Sequence, residues 1–161
     1  MANVACGFDI FGLAVDNPGD EVILTKRNDN QLIITEITGD DGKLTYDPTK
    51  NTVTVPIIKY LAQIGSDQGF EIVLNKKMPL GSGLGSSSAS SVAGVFAANQ
   101  LLGMPLQNAD LLPFAMEGER IACGSAHADN VGPSLLGGFV VVRSYSPLDV
   151  IKLDTPAGMY A

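Results

Sequence analysis

Residues 78–94 read MPLGSGLGSSSASSVAG: glycines alternate at 81, 83 and 85, and serines and other small residues follow at once. Such a composition serves either as a flexible linker or as a rigid turn that wraps backbone N–H groups around an anion. A linker belongs between self-contained segments. This stretch instead follows a strand-like alternation (Phe70, Ile72, Leu74) and leads into a helix-like periodicity, the strand-turn-helix context of a phosphate loop. Glycines at 81, 83 and 85 permit positive φ and close backbone approach, so that consecutive N–H groups can converge on one anion. The helix behind them adds roughly half a positive charge at its N-terminus. Ser86, Ser87 and Ser88 supply hydroxyls where the unsatisfied helix N–H groups lie. The pattern is not the P-loop, because Gly85 is followed by Ser86 where that loop has lysine. Nor is it the dinucleotide fingerprint, whose third glycine is spaced differently. An anion cradle and a tight structural turn both satisfy the local physics.

Working outward, Glu21–Arg27, Gln31–Thr38 and Phe70–Leu74 are short β-rich runs separated by turn clusters, RNDN and TGDDG among them, and predict antiparallel strands. Val53, Ile57, Tyr60, Leu61 and Ile64 recur at helical spacing, with Thr54 as N-cap, Pro56 in the first turn and Gly65 as the stop. Past the glycines, Ala89, Val92, Ala93, Phe96 and Ala97 share one helical face that ends at Gly103, and their small size suggests close packing on a sheet. Another helix is expected from about Asn108 to Cys123, with Asn108 as N-cap and Pro113 near its start. GGFVVVRSY, residues 137–145, predicts a strand. Hairpin-like strands mixed with separate helices favour an α+β sandwich over an alternating parallel α/β fold.

The chain has 161 residues, 45% of them hydrophobic and 17% charged, which fits one ordinary domain with a real core. A net charge of −7 excludes a surface that binds nucleic acid by neutralising phosphates, while leaving room for one small anion held locally. Cys6 and Cys123 are far apart and lack metal-ligand spacing; both are expected as small buried residues in a reducing compartment. The N-terminus lacks the order of a signal peptide, and no run approaches the ~20 apolar residues of a membrane span. A cytoplasmic protein with no membrane partner is expected.

Pro79–Ser90, PLGSGLGSSSAS, closely resembles the ATP-binding motif of the GHMP kinases, the superfamily of galactokinase, homoserine kinase, mevalonate kinase and phosphomevalonate kinase. Ala2–Val15, ANVACGFDIFGLAV, and Gly124–Phe139, GSAHADNVGPSLLGGF, look like the homoserine kinases within it, in the same order along the chain. The resemblance implies the GHMP kinase N-terminal domain, a sandwich of mixed sheet and helices similar to the second domain of ribosomal protein S5. It further implies phosphoryl transfer from ATP with Mg²⁺ to the hydroxyl of L-homoserine, giving O-phosphohomoserine on the route to threonine. By motif, Pro79, Leu80, Gly81, Ser82, Gly83, Leu84, Gly85, Ser86, Ser87 and Ser88 would hold the triphosphate. Ser87 and Glu119 would ligate Mg²⁺; Asn3 and Asp9 would contact the homoserine amino group, and Asn130 would stand close to the reacting hydroxyl. Homoserine kinases carry a strand before the Asn3 motif and a second domain of similar size. The resemblance therefore makes residues 1–161 an N-terminal ATP-binding domain without either, whose exposed half-interface would favour association, a homodimer included. A non-catalytic nucleotide-binding or regulatory module, or a kinase for another small alcohol, is the competing expectation.

Several of these residues also have plainer local explanations. Glu119 falls four residues after Ala115 and seven after Leu112, in line with an apolar helix face, where a carboxylate needs either a salt bridge or a hard cation. Asp9, among Gly7, Phe8, Ile10 and Phe11, also suits a turn aspartate bonded to its own backbone. His127, the sole histidine, is expected behind the site rather than as a base. Asp129 adjoins Asn130 at a place where several GHMP kinases use an aspartate as base, whereas the homoserine kinase pattern puts Asn130 at the reaction and leaves catalysis to alignment and charge stabilisation. Lys76 and Lys77 precede the loop at a strand end; they are expected to be solvated, with direct contact to the ATP phosphates as the alternative.

Overall fold

The structure, a computed structural model, describes residues 2–4 and 7–154, with side chains from Gly7 onward; Cys6 lies outside the described residues. Strands β1 (Ala2–Val4), β2 (Gly7–Leu13), β6 (Phe139–Tyr145) and β7 (Leu148–Leu153) form one antiparallel sheet in that order. Strands β3 (Glu21–Lys26), β5 (Phe70–Asn75) and β4 (Leu32–Thr38) form a second. Helices α1 (Thr54–Ile64), α2 (Ser86–Leu101), α3 (Leu112–Cys123) and α4 (Ala128–Leu136) complete the fold. The three helices α1, α2 and α3 pack on one another, α2 lies along β3, and α4 bridges α2 and α3 to β2 and β6. This is the mixed α+β arrangement expected.

The core grows from a period-two alternation. Phe70, Ile72 and Leu74 of β5 are fully buried, as are Val53, Ile57 and Tyr60 around α1, Val95 and Ala98 of α2, and Ala115 of α3. In β4, Ile34 and Ile37 both point inward although three residues apart; a register shift between Ile34 and Glu36 supplies the extra residue that keeps both on the core face.

The sheet corrects one expectation. β3 pairs antiparallel to β5 as predicted, but β4 pairs parallel to it, because the chain from Gly39 to Gly69 carries α1 across and returns it in the same direction. Capping differs as well. Thr54 is not the N-cap of α1: its hydroxyl donates to the carbonyls of Pro48, at 2.6 Å, and Asn51, at 3.2 Å. Asn51 organises the turn instead, its Oδ1 accepting from the Val53 N–H at 3.0 Å. Gly65 stops the helix at φ 67°, as expected. Asn108 opens a 3-10 turn, Asn108–Leu111, without a side-chain capping bond, and α3 follows with Pro113 in its first turn.

Helix α2 buries a face turned away from the one predicted: of the predicted residues Val92 is buried in the core. Ala89, Ala93, Phe96 and Ala97 are half-buried, and Ala89, Ala93 and Phe96 line an apolar cavity of about 410 Å³; the fully buried stripe is Ser88, Ser91, Val95 and Ala98. Its small residues let helices, rather than only a sheet, come close. The Ser91 hydroxyl donates to the Thr52 carbonyl at 2.9 Å, and a Cβ on Gly118 of α3 would lie 1.9 Å from Ser91 Oγ. The helix ends in a paired-carbonyl cap: the Gly103 N–H donates to Gln100 O at 3.1 Å and the Met104 N–H to Asn99 O at 2.8 Å. Helix α4 went unpredicted because Gly132 and Pro133 interrupt its pattern.

Candidate active site

The glycine-rich turn joins β5 to α2. Gly81, Gly83 and Gly85 have φ of 72°, 76° and 81°, the left-handed region that side chains with a Cβ rarely adopt. A Cβ at Gly81 or Gly83 would meet nothing within 4 Å, so their glycine requirement is conformational; at Gly85 it would meet Asn130 Oδ1 at 2.9 Å. Residues 79–83 and 85–87 line a cleft of about 600 Å³ with Glu119 and Asn130, and the chain from Lys43 to Thr52 forms another wall. Two of the residues assigned to the loop by motif face elsewhere. Leu84 lines the apolar cavity on the other side of the loop, and Ser88, in the first turn of α2, is fully buried with no partner for its hydroxyl among the described residues.

Ser87 and Glu119 meet across the cleft. The Ser87 hydroxyl donates to Glu119 Oε1 at 2.6 Å, and Glu119 is only 5% exposed. The salt-bridge explanation for Glu119 finds no partner: among the described residues no lysine or arginine pairs with it, and the adjacent Arg120 turns to Glu117 at 3.3 Å. Helix α3 can carry this carboxylate to the loop because Gly118 removes the side chain that would hold α3 off α2. A buried carboxylate satisfied by one hydroxyl has acceptor capacity left for a hard divalent cation.

Next to Asn130 but outside the residues that line the cleft, β2 and α4 bring three titratable groups together. Gly12 of β2 passes so close to α4 that a Cβ there would lie 1.7 Å from the Asp129 carbonyl oxygen. That approach sets Asp9, at φ 57°, beside His127 and Asp129, with His127 Nδ1 3.6 Å from Asp9 Oδ1. One ligand atom from each of the three lies within 4.8 Å of the others. Tyr145 donates its hydroxyl to the Asp9 carbonyl at 3.1 Å, so the left-handed residue is held from β6 as well. Asp129 is fully buried, and neither carboxylate oxygen has a hydrogen-bond partner among the described residues. Burial pushes its carboxyl above the ordinary value, and the charges of Asp9 and Glu119 add to that push. Asn130, half-buried on the first turn of α4, reaches the cleft against Gly85. The Asn3 backbone lies in β1, next to β2; its side chain lies outside the described residues. Cys123, expected to be buried, is exposed at the end of α3.

Lys76 corrects the sequence reading. It is buried rather than solvated and ion-pairs with the fully enclosed Asp20. Its signal was present: Lys76 continues the inward phase of Phe70, Ile72 and Leu74. Lys77, one residue on, is the exposed one and pairs with Glu21 at 3.4 Å.

Residues 51–138 match the family described as the GHMP kinases N terminal domain. The chain belongs to the GHMP kinase family. The matched region holds the loop, Glu119 and Asn130. The chain is 48% identical over 170 residues to the homoserine kinase of Chlorobium phaeobacteroides (strain BS1) and 49% identical to that of Chloroherpeton thalassium, in each case over 99% of its own length and 53% of the relative. Among solved structures it superposes on the homoserine kinase from Cytophaga hutchinsonii with TM-score 0.93 and 66% identity, covering 97% of this chain and 50% of that one. The mevalonate kinase of Methanococcus jannaschii shares the fold at TM-score 0.64 and 17% identity. The chain thus spans about half the length of the relatives it matches. No helix among the described residues is long and apolar enough to cross a membrane.

Proposed function

We propose that this GHMP kinase domain binds Mg-ATP and L-homoserine in the cleft between the glycine loop, α3 and α4, for transfer of the γ-phosphoryl group to the homoserine hydroxyl. The product is O-phosphohomoserine, made in the cytoplasm for threonine synthesis. The observation that carries this reading is the meeting of the loop, the Ser87–Glu119 pair and Asn130 on one cleft, in a chain that is 66% identical to a homoserine kinase.

In this reading the loop presents backbone N–H groups to the phosphate oxygens, its left-handed glycines permitting that arrangement, and the α2 N-terminus adds its partial positive charge. Ser87 and Glu119 are hard oxygen donors beside that anion and fit Mg²⁺, which when bound would neutralise charge on the phosphates. In this reading Asp9 supplies the negative charge for the substrate ammonium, and Asn3 is assigned the same contact by the family motif. Asn130 orients the hydroxyl; a carboxamide takes no proton at neutral pH, so its contribution is alignment. The hydroxyl oxygen bonds to the γ-phosphorus as the bond to the ADP oxygen breaks, and the proton leaves with the new phosphate group. The test is ADP release with L-homoserine, mevalonate and galactose as acceptors. Turnover with homoserine supports the proposal; turnover only with mevalonate or galactose overturns it.

A further inference from the structure

One carboxylate holds both ends of the glycine loop. Before the loop, Asp20 Oδ1 accepts from the N–H groups of Lys77, at 2.9 Å, and Met78, at 3.1 Å. After it, Asp20 Oδ2 accepts from the hydroxyls of Ser86, at 2.7 Å, and Ser90, at 3.1 Å. The Lys76 ammonium completes the set by pairing with Oδ2, and it donates as well to the Ser86 carbonyl, at 3.0 Å, and to Ser90 Oγ, at 2.8 Å. Inside the loop, by contrast, the bonds are long: the Ser82 N–H to Pro79 O at 3.3 Å and the Leu84 N–H to Ser82 Oγ at 3.4 Å. Little within residues 79–85 fixes their shape. The base does.

Lys76 lies on the cleft wall, where a lysine invites assignment to a phosphate. An ammonium has three N–H donors, and Asp20, the Ser86 carbonyl and Ser90 take all three. Its side chain is 2% exposed and that of Asp20 is 0% exposed, so the pair is desolvated and its network complete. We propose that Asp20 and Lys76 are positioning residues: a buried ion pair that clamps the start and end of the phosphate loop together and presents its N–H groups in the phosphate-binding arrangement, without either side chain binding phosphate. This rests on the nucleotide-binding reading above and adds to it the device that shapes the loop.

The test combines Asp20→Asn with Lys76→Met, since either change alone leaves a buried charge unpaired and endangers folding. Amide hydrogen exchange is measured on the chain without ligand, and affinity is measured for Mg-ATP and for adenosine. Exchange over residues 77–87 should quicken at least tenfold or so while α1 and β4 keep their protection, and Mg-ATP affinity should fall by roughly tenfold or more with adenosine affinity unchanged, the scale expected for losing charge-assisted hydrogen bonds. Unchanged loop exchange overturns the clamp, as does equal weakening of Mg-ATP and adenosine. If the double variant does not fold, Ser86→Ala removes only the 2.7 Å bond at the loop's end; quickened exchange confined to residues 84–87 supports the clamp, and none overturns it. Should the unaltered chain bind no nucleotide, the nucleotide reading fails while the exchange comparison still decides the clamp.

Discussion

Replacing Gly85 with alanine separates two jobs that this residue performs. The backbone there has φ 81°, so any Cβ costs about 1–2 kcal/mol of left-handed strain. At this chain length that loss lowers the melting temperature by about 2–4 °C for each kcal/mol. Gly81→Ala, at φ 72°, carries the same strain but places its Cβ in open space. The Gly85 methyl instead lies 2.9 Å from Asn130 Oδ1, 3.6 Å from its Cγ and 3.7 Å from its Cβ. The end of a side chain can swing away, so the clash adds little to the stability loss and displaces Asn130. A displacement of about 1 Å at an aligning group costs on the order of 10²-fold in turnover. Melting temperatures of the two variants should therefore fall alike, with kcat for homoserine collapsing only in Gly85→Ala. In an Asn130→Ala background, Gly85→Ala should cost almost nothing further in kcat, because its target is gone. Independent, additive losses would refute the link between loop and Asn130.

Ser87→Ala and Glu119→Gln should each weaken ATP binding by roughly tenfold in the presence of Mg²⁺ and leave metal-free ATP binding nearly unchanged, as read by calorimetry. The two buried aspartates should give opposite pH signatures in chemical denaturation. Burial raises the Asp129 carboxyl, so its contribution is most favourable below the ordinary value of 3.8 and is lost as pH rises through the raised one; Asp129→Asn should gain stability at pH 7 and lose that advantage in acid. Burial would also raise Asp20, but hydrogen bonds from Lys76 and Ser86 and the Lys76 charge outweigh it and hold the carboxyl below 3.8, so the stability that Asp20 contributes is present above 3.8 and is lost as pH falls through the lowered value. Gly118→Ala should cost about 1–3 kcal/mol by overpacking, since its Cβ would lie 1.9 Å from Ser91 Oγ and 2.8 Å from the Thr52 carbonyl; it should also weaken the Mg²⁺ dependence by moving Glu119.

Strands and helices whose periodicity is unbroken were legible in the sequence. β5, α1 and the start of α2 follow from alternation, helical spacing and the glycine run, and Glu119 stood out as a carboxylate on an apolar face. What escaped depended on tertiary approach. The parallel pairing of β4 with β5 is set by where α1 crosses, which no local pattern records. The buried face of α2 includes Val92 as expected but also Ser88 and Ser91, because small size rather than polarity decides what fits where helices meet. Helix α4 was hidden by Pro133, and the nearness of Asp9 to Asp129 by Gly12, whose missing side chain matters only against a neighbour. Lys76 was legible too: its place in the β5 alternation marks it as inward, and an inward lysine implies a buried partner.

If the loop after β5 binds the phosphates of Mg-ATP through its backbone, its amides must respond to nucleotide. The most direct measurement is a titration of the isotopically labelled chain with Mg-ATP, following backbone amide chemical shifts. Saturable shifts are expected, largest at Gly81, Gly83, Gly85, Ser86 and Ser87, and lost in Gly83→Val. Mg-ATP binding that leaves these amides unmoved, or no binding at millimolar nucleotide, would contradict it.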